Sequence, residues 1–460
     1  MSEKFDVVVI GGGPGGTPAA MQLAAQGKKV LLAEASGKLG GACLFVGCIP
    51  SKIIKHGADK FRLKKTVSSN TDSMATWKDI RANMEKILGG RSSAALAGVE
   101  QAGIRFIPGT ATFVSSSEIE INQTRYSFDK AIISTGATSF VPPFQGSGTK
   151  DVLTSEVLFD LQALPASLMI VGGGPIGVEL AQMLTALDVR CTIVEMMDTL
   201  LSGVVEPEFS QEITREMKDG GIQVFTKSKV EVIDRVGSRF QTQFRDQSGV
   251  EHKVETDKVL VVTGKVANVG ALNLSAAGIK VERGGIVVND YLETSVPGIY
   301  ATGDVIQGGP KFAHVATYEA HIAAANIISG NQVKTDFTTN AWVLFSSPEI
   351  AAAGMTEAQA IKAGFDVVTG VYNYKIDATS QINEDLFGFM KYIVEKKTKK
   401  ILGIHLFLNG AAQLSGEASI IVAQQMTLPE VARTIQPHPT LCEAFSILAF
   451  KMLADPALRG

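Results

Sequence analysis

Two stretches of this chain repeat the same order of residues, and that repetition limits its fold more than any other feature. Residues 7–10 form a short apolar run, followed by Gly11-Gly12-Gly13-Pro14-Gly15-Gly16, helix-forming residues up to Gly27, a second apolar run at 30–33, and Glu34. The order returns at residues 168–171, with Gly172-Gly173-Gly174-Pro175-Ile176-Gly177, a helical stretch through Leu187, an apolar run at 191–194, and Glu195. In both units the acid stands 23 positions beyond the first glycine. Glycines suit a tight turn whose backbone must approach a pyrophosphate. The next helix offers free N–H groups and its positive dipole end, and an acid at that distance suits a ribose hydroxyl. One such loop reads equally well as an ordinary glycine turn; two complete units with matched spacing point to two bound dinucleotides. Neither acid is replaced by arginine, and residues 196–201 carry no basic side chain for a 2′-phosphate, so the second unit is expected to take NAD rather than NADP.

The rest of the chain is consistent with a multidomain globular protein. Its 460 residues are about three times the length of a typical domain. Lys and Arg number 43 against 46 Asp and Glu, with no block of like charge, which argues against a nucleic-acid surface or a polybasic membrane patch. No apolar run reaches the 18 or so residues that cross a bilayer, and the N-terminus enters a strand without the layout of a signal peptide, so a cytoplasmic protein is expected. Residues 131–134 and 260–263 read as strands running into Thr135-Gly136-Ala137 and Gly264, the kind of strand ends that lie against a nucleotide. Another strand near residues 300–305 ends in Thr302-Gly303-Asp304. Pro142-Pro143 and nearby glycines place a boundary near residue 150. Beyond Thr339 the pattern changes to strands at 388–394 and 401–407, with helices from Gly416 onward, a third domain of different design.

Of four cysteines, Cys43 and Cys48 lie five positions apart just beyond Glu34, in Gly40-Gly41-Ala42-Cys43-Leu44-Phe45-Val46-Gly47-Cys48-Ile49-Pro50-Ser51-Lys52. The spacing differs from that of common zinc pairs, and no second Cys or His pair with ligand spacing follows, so no metal site is expected. Pro50 places a helix start beside Cys48. A helix N-terminus with Lys52 nearby lowers a thiol pKa and favours the reactive thiolate. A redox-active pair is one reading, and two small buried cysteines in a glycine-rich loop is the other. His438 and Glu443 stand five positions apart, and a loop bend at Pro439 would let the carboxylate hold the imidazole, but read alone a C-terminal histidine is more often a surface or capped residue.

These residues together resemble the flavoprotein disulfide reductases of the dihydrolipoamide dehydrogenase and glutathione reductase type. The similarity runs essentially from Phe5 to Phe450. Its most specific marks are the Cys43–Lys52 segment, Thr302-Gly303-Asp304, and His438-Pro439-Thr440-Leu441-Cys442-Glu443. The resemblance implies an α/β chain with two Rossmann-like dinucleotide-binding domains plus an α+β C-terminal dimerisation domain. FAD would be held by residues 1–150 and 276–339, NAD by 151–275, and the partner subunit of a homodimer by 340–460. It implies FAD contacts from Gly11, Gly13, Pro14, Gly16, Glu34, Gly41, Lys52, Gly109, Thr135, Gly136, Asp304, Ala313 and His314. It implies NAD contacts from Gly172, Gly174, Ile176, Gly177, Glu179, Glu195, Val230 and Gly264. Cys48 would face the flavin, Cys43 would exchange with substrate sulfur, Lys52 would pair with Glu179, Asp304 would hold the ribityl chain, and His438 with Glu443 would be the acid/base pair, reaching the other subunit. The closest type is dihydrolipoamide dehydrogenase, with a small dithiol or a lipoyl-carrying protein as partner.

Several positions depart from that type. Phe45 replaces a polar residue between the cysteines, Gln436-Pro437 precede His438, and Cys442 stands where Ser or Ala is common. Lys265 and Ala267 follow Gly264, and Ser346-Ser347-Pro348-Glu349 lacks a histidine. These differences bear on the disulfide substrate. A related reductase of another disulfide, a metal ion or a quinone is the alternative reading, and a non-catalytic flavin-bearing subunit is a third.

Overall fold

The computed structural model describes residues 3–458. Each glycine-loop unit builds a parallel sheet with its founding strand inside. In the first unit the order is Arg105–Pro108, Val30–Glu34, Glu3–Ile10, Thr124–Ile133, and the last half of that strand pairs outward with Ile299–Ala301. The second unit repeats the order with Gln223–Phe225, Arg190–Val194, Ser167–Val171 and Lys258–Val261, all parallel. These strands read as continuous apolar runs because helices cover both faces of a parallel sheet. Val7, Val8, Val9, Leu31 and Leu32 are accordingly buried.

The units share a further feature that their sequences do not announce. Between third and fourth parallel strands each inserts an antiparallel three-stranded meander: Ala111–Ser115, Glu118–Ile121 and Thr124–Ile133 in the first, and Lys229–Val236, Arg239–Arg245 and Glu251–Thr256 in the second. In the first unit the last meander strand runs on into the parallel sheet. In the second it stops at Thr256, and Asp257, which accepts from the Ser167 N–H and hydroxyl, separates it from Lys258–Val261.

Residues from 341 onward form a five-stranded antiparallel sheet in the order Ala341–Leu344, Glu349–Gly354, Ile401–Leu408, Phe389–Glu395, Val367–Asn373. Helices Ala411–Ala423 and Glu443–Leu453 pack on it. Two expectations shift here. The first of these helices starts at Ala411 rather than near Gly416, because Gly410 in a left-handed conformation turns the chain straight into it. The strand near residue 300 ends at Ala301, and residues 303–305 form a single 3₁₀ turn, since Gly303 takes a positive φ that a strand does not allow.

One apolar core joins helices Cys48–Val67 and Ser73–Gln101 to the second unit and the last sheet: Ile54, Phe61 and Trp77 meet Leu168, Val178 and Phe209 of the former and Leu344, Ile350 and Phe407 of the latter, while the first sheet packs in a core of its own. A buried ionic hub adds direction to that packing. Lys391 Nζ, on the last sheet, lies 2.7 Å from Glu206 Oε2, 2.7 Å from Glu208 Oε1 and 2.8 Å from Glu357 Oε2. Three carboxylates outweigh burial and hold its pKa above the ordinary lysine range. Among the described residues no helix is long and apolar enough to cross a membrane.

Candidate active site

The two glycine loops match closely. A Cβ on Gly11 would collide with the Ser134 carbonyl oxygen, and one on Gly172 with that of Val262; Gly16 and Gly177 pack in turn on the carbonyls of Gly11 and Gly172. Helices Thr17–Ala25 and Pro175–Ala186 follow, each with proline in its first turn, where a missing N–H costs nothing. Among the described residues the N–H groups of Gly13, Gly15 and Gly174 have no acceptor. Unpaired N–H groups at a helix N-terminus, over a backbone with no side chain above it, fit a pyrophosphate in both loops. Glu34 and Glu195 sit alike: Glu34 Oε2 accepts from Gly12 N at 2.8 Å, and Glu195 Oε2 from Gly173 N at 2.5 Å. Their carboxylates thus brace the loops from the strand tips where a ribose would rest.

The remaining candidate flavin residues gather at the same sheet edge. Gly41 packs on Gly13, and the Gly109 N–H donates to the Glu34 carbonyl at 3.0 Å. Thr135 and Gly136 are tied to Asn268, whose N–H donates to the Gly136 carbonyl and whose side chain donates to that of Thr135. Thr302 Oγ1 donates to the Gly15 carbonyl at 3.0 Å, which carries Gly303 and Asp304 to the glycine loop. Ala313 and His314 open helix Ala313–Ser329, and Thr317 on that helix donates to the Pro14 carbonyl at 3.2 Å; His314 Nε2 lies 3.2 Å from Asn340 Oδ1. In the second unit, Gly264 lies beyond Lys258–Val261 and Ile176 in the first turn of its helix, while Val230 is buried among Val171, Val194 and Phe244.

Cys43 sits in the short helix Gly41–Phe45 and Cys48 opens the helix Cys48–Val67. The helix start follows from Pro50, tolerated in a first turn, and from Gly47, whose carbonyl accepts the Ser51 N–H. Both thiols are free and hydrogen-bonded to each other. They are unequal. That hydrogen bond, helped by Lys52 and opposed by burial and Glu179, lowers Cys48 to about 7. The same bond and burial push Cys43 far up, against the pull of Arg91 and Lys52. Lys52 Nζ lies 2.7 Å from Glu179 Oε2, as the resemblance implied.

Phe345 was not legible as a site residue. Its N–H donates to Glu179 Oε1 at 2.7 Å and its ring lies 4.4 Å from Lys52 Nζ, so it completes the shell of that ion pair. Gln182 and Ser347 exchange two hydrogen bonds of 2.8 Å, which fasten the second unit's helix to the segment before Glu349. No short motif announces residues that meet from 165 positions apart. Glu319, buried at 4% exposure, accepts from Gly303 N at 2.5 Å, and burial raises its carboxyl to about 7.

His438 Nδ1 lies 3.0 Å from Glu443 Oε1 and 3.1 Å from Oε2. Glu443 opens helix Glu443–Leu453, and the Thr440 N–H and the imidazole hold its carboxyl below the usual range. Nε2 is left free on a side chain 71% exposed. Among the described residues no hydrogen bond or ion pair joins His438 to Cys43 or Cys48 within the chain. Of the departures, Gln436 Nε2 donates to Glu417 Oε1 at 2.5 Å, Cys442 Sγ lies 2.9 Å from Thr440 Oγ1, and the Phe45 ring lies 5.8 Å from Lys38 Nζ.

Comparison with known proteins agrees with this arrangement. Residues 5–320 match the family described as pyridine nucleotide-disulphide oxidoreductase, and residues 340–449 match that family's dimerisation domain. The chain is 34% identical to a dihydrolipoyl dehydrogenase of Bacillus subtilis, over 96% of this chain and 94% of the relative. It is 30% identical to a mercuric reductase of Lysinibacillus sphaericus, over 98% of this chain and 83% of the relative. Among solved structures, the Cu(II) complex of the HOCl-induced flavoprotein disulfide reductase RclA of Escherichia coli aligns with a TM-score of 0.87 at 26% identity, covering 98% of this chain and all of that one. Enzymes of this family use FAD and a nicotinamide dinucleotide. With both domains matched and the paired thiols between two nucleotide loops, the chain belongs to the pyridine nucleotide-disulphide oxidoreductases, as a flavoprotein disulfide oxidoreductase.

Proposed function

We propose that this enzyme is a dihydrolipoamide dehydrogenase, oxidising a dithiol with NAD through the Cys43 and Cys48 pair. The observation that carries the reading is the inequality of those thiols, with Cys48 lowered to about 7 beside Lys52 and Cys43 raised. A sulfur with a low pKa is the better leaving group, so substrate attacks Cys43 and expels Cys48. FAD, when bound, would supply the two-electron relay between these thiols and NAD.

His438 Nε2, its ring oriented by Glu443, takes the proton of one substrate thiol. The resulting thiolate bonds to Cys43 Sγ, breaking the Cys43–Cys48 disulfide and leaving Cys48 as thiolate. The second substrate sulfur then bonds to the first and releases Cys43, which keeps the second proton. Because His438 makes no contact with its own thiols, each chain of a homodimer presents its imidazole to the other. The Lys52 ammonium stabilises the Cys48 thiolate. Residues 1–150 and 276–339 bind FAD, 151–275 bind NAD, and 340–460 join the subunits. The Glu195 carboxylate at the second ribose position repels a 2′-phosphate and selects NAD.

The test is NAD reduction by dihydrolipoamide, with NADP as control. Turnover that is lost in Cys48→Ser supports the reading; a flavin-loaded enzyme with no turnover rejects it. Relatives named mercuric reductase and a Cu(II) complex of RclA favour a second reading, in which the same thiols deliver electrons to a metal ion or another disulfide.

A further inference from the structure

Residues 345–348 turn the chain between the antiparallel strands Ala341–Leu344 and Glu349–Gly354, and that turn docks on two helices of the candidate site. Helix Cys48–Val67 presents Lys52 and Lys55 to it, and helix Pro175–Ala186 presents Glu179 and Gln182. Residues three apart share a helix face, so each helix meets the turn at two successive points. At the first, the Phe345 N–H donates to Glu179 Oε1 while Lys52 holds Oε2. At the second, the Gln182 amide donates to the Ser347 carbonyl and accepts from the Ser347 N–H, each at 2.8 Å, and Lys55 Nζ donates to Ser347 Oγ at 3.0 Å.

A side-chain amide can satisfy both main-chain groups of one residue because it carries a donor and an acceptor together; a carboxylate or an apolar chain of the same length cannot. The Ser346 hydroxyl is taken within the turn, donating to the Pro348 carbonyl. The Gln182 pair therefore fixes the turn two residues from the N–H that reaches Glu179.

We propose that Gln182 is a positioning residue for the Cys48 sulfur: by holding Ser347 it keeps the Phe345 N–H on Glu179, and so sets how much of that carboxylate's charge reaches the thiols. The proposal rests on the reading that Cys48 works as a thiolate beside Lys52. The groups bearing on Cys48 are Lys52 on its own helix, Cys43 on the short helix before it and Glu179, while Arg91 of helix Ser73–Gln101 bears on Cys43. Of the three that act on Cys48 directly, Glu179 disfavours the thiolate. A carboxylate that loses an N–H donor keeps more of its charge uncompensated, so release of the turn moves the ionisation of Cys48 to higher pH.

The test labels the two-electron-reduced holoenzyme with iodoacetamide across pH and follows Cys48 by peptide mass spectrometry. Gln182→Met, of similar length but without the amide, is expected to raise the midpoint by about half a pH unit. Gln182→Asn, a gentler change too short to reach Ser347, is expected to raise it likewise and decides the question should the first variant fail to fold. Ser347→Ala gives up only the Lys55 contact and should leave the midpoint in place. In a Glu179→Gln background the Gln182→Met shift is expected to vanish, because a neutral amide has no charge to release. A role in folding alone would lower the thermal midpoint and leave the labelling midpoint where it is. A wild-type labelling midpoint in the Gln182 variants overturns the proposal, as does a shift that persists undiminished in Glu179→Gln. Labelling needs no turnover, so failure to oxidise dihydrolipoamide counts against the proposed reaction while the label still decides the role of Gln182.

Discussion

Lys52 Nζ lies 2.7 Å from Glu179 Oε2 and joins two helices that begin at the chain's two chemical landmarks, Cys48 and the second glycine loop. Glu179 is 9% exposed, and its second oxygen is taken by the Phe345 N–H. The pair therefore links the thiols mechanically and electrostatically to the second nucleotide unit.

Lys52→Met removes a positive charge that favours the Cys48 thiolate and leaves a buried carboxylate without its partner. Iodoacetamide labelling of Cys48 in the reduced enzyme should rise through about pH 7 in wild type and shift to higher pH in the variant. A midpoint that stays in place would show that the Cys43 hydrogen bond alone sets the Cys48 pKa.

Lys391→Met leaves Glu206 buried and uncompensated. The loss of one partner of a buried ion pair costs about 3–5 kcal/mol, so a drop of several degrees in the thermal midpoint is expected. Glu206→Gln combined with Lys391→Met should recover part of the loss, because the orphan charge is gone. Thermal scans of Lys391→Met, Glu206→Gln and the double variant check this, and strict additivity would argue against the pairing.

Burial raises the Glu319 carboxyl to about 7, with Asp304 adding to the effect. The fold therefore favours its neutral form, and between its unfolded pKa near 4.5 and about 7 the native state binds the extra proton. Stability from this group falls as pH rises through that window and levels off above it. Glu319→Gln still accepts from the Gly303 N–H and cannot ionise, so its thermal midpoint should decline less between those pH values than that of wild type.

Ile435 is fully exposed and Ile420 63% exposed, both within the matched dimerisation domain, and Phe450, 72% exposed, stands one residue beyond it on the same helix as Glu443. Apolar side chains so placed fit an obligate subunit contact. Phe450→Glu is expected to shift the protein toward monomer in sedimentation velocity. On the proposed reaction, in which His438 serves the thiols of a second chain, dithiol oxidation should fall with it.

Much of the nucleotide and thiol machinery is legible in local signals. The glycine loops, their acids, the Cys48 helix start and the His438 and Glu443 pair each depend on residues within a few dozen positions, where turn geometry and helix chemistry act directly. The Lys52 and Glu179 pairing is implied by family resemblance, not by spacing. What the sequence hides depends on distant parts meeting: Phe345 on Glu179, Ser347 on Gln182, and Lys391 on three carboxylates. A buried lysine in a strand reads in sequence as a break in the apolar pattern, and only the sheet shows that Glu206 awaits it. The paired meanders are likewise obscured, because the two share few residues although their strands alternate.

The position of Ile299–Ala301 carries a consequence for how the molecule is made. That strand closes the first sheet against Ala131–Ile133, yet the ribosome delivers it only after the whole second unit has emerged. Domains generally form as they are synthesised, so of the two glycine-loop units the one that starts first finishes second. A nascent chain released before residue 299 holds a complete second glycine-loop sheet and an open edge on the first. Thr302, which reaches the first glycine loop from beyond that edge, and Asp304 next to it are therefore added late, after the second unit is in place.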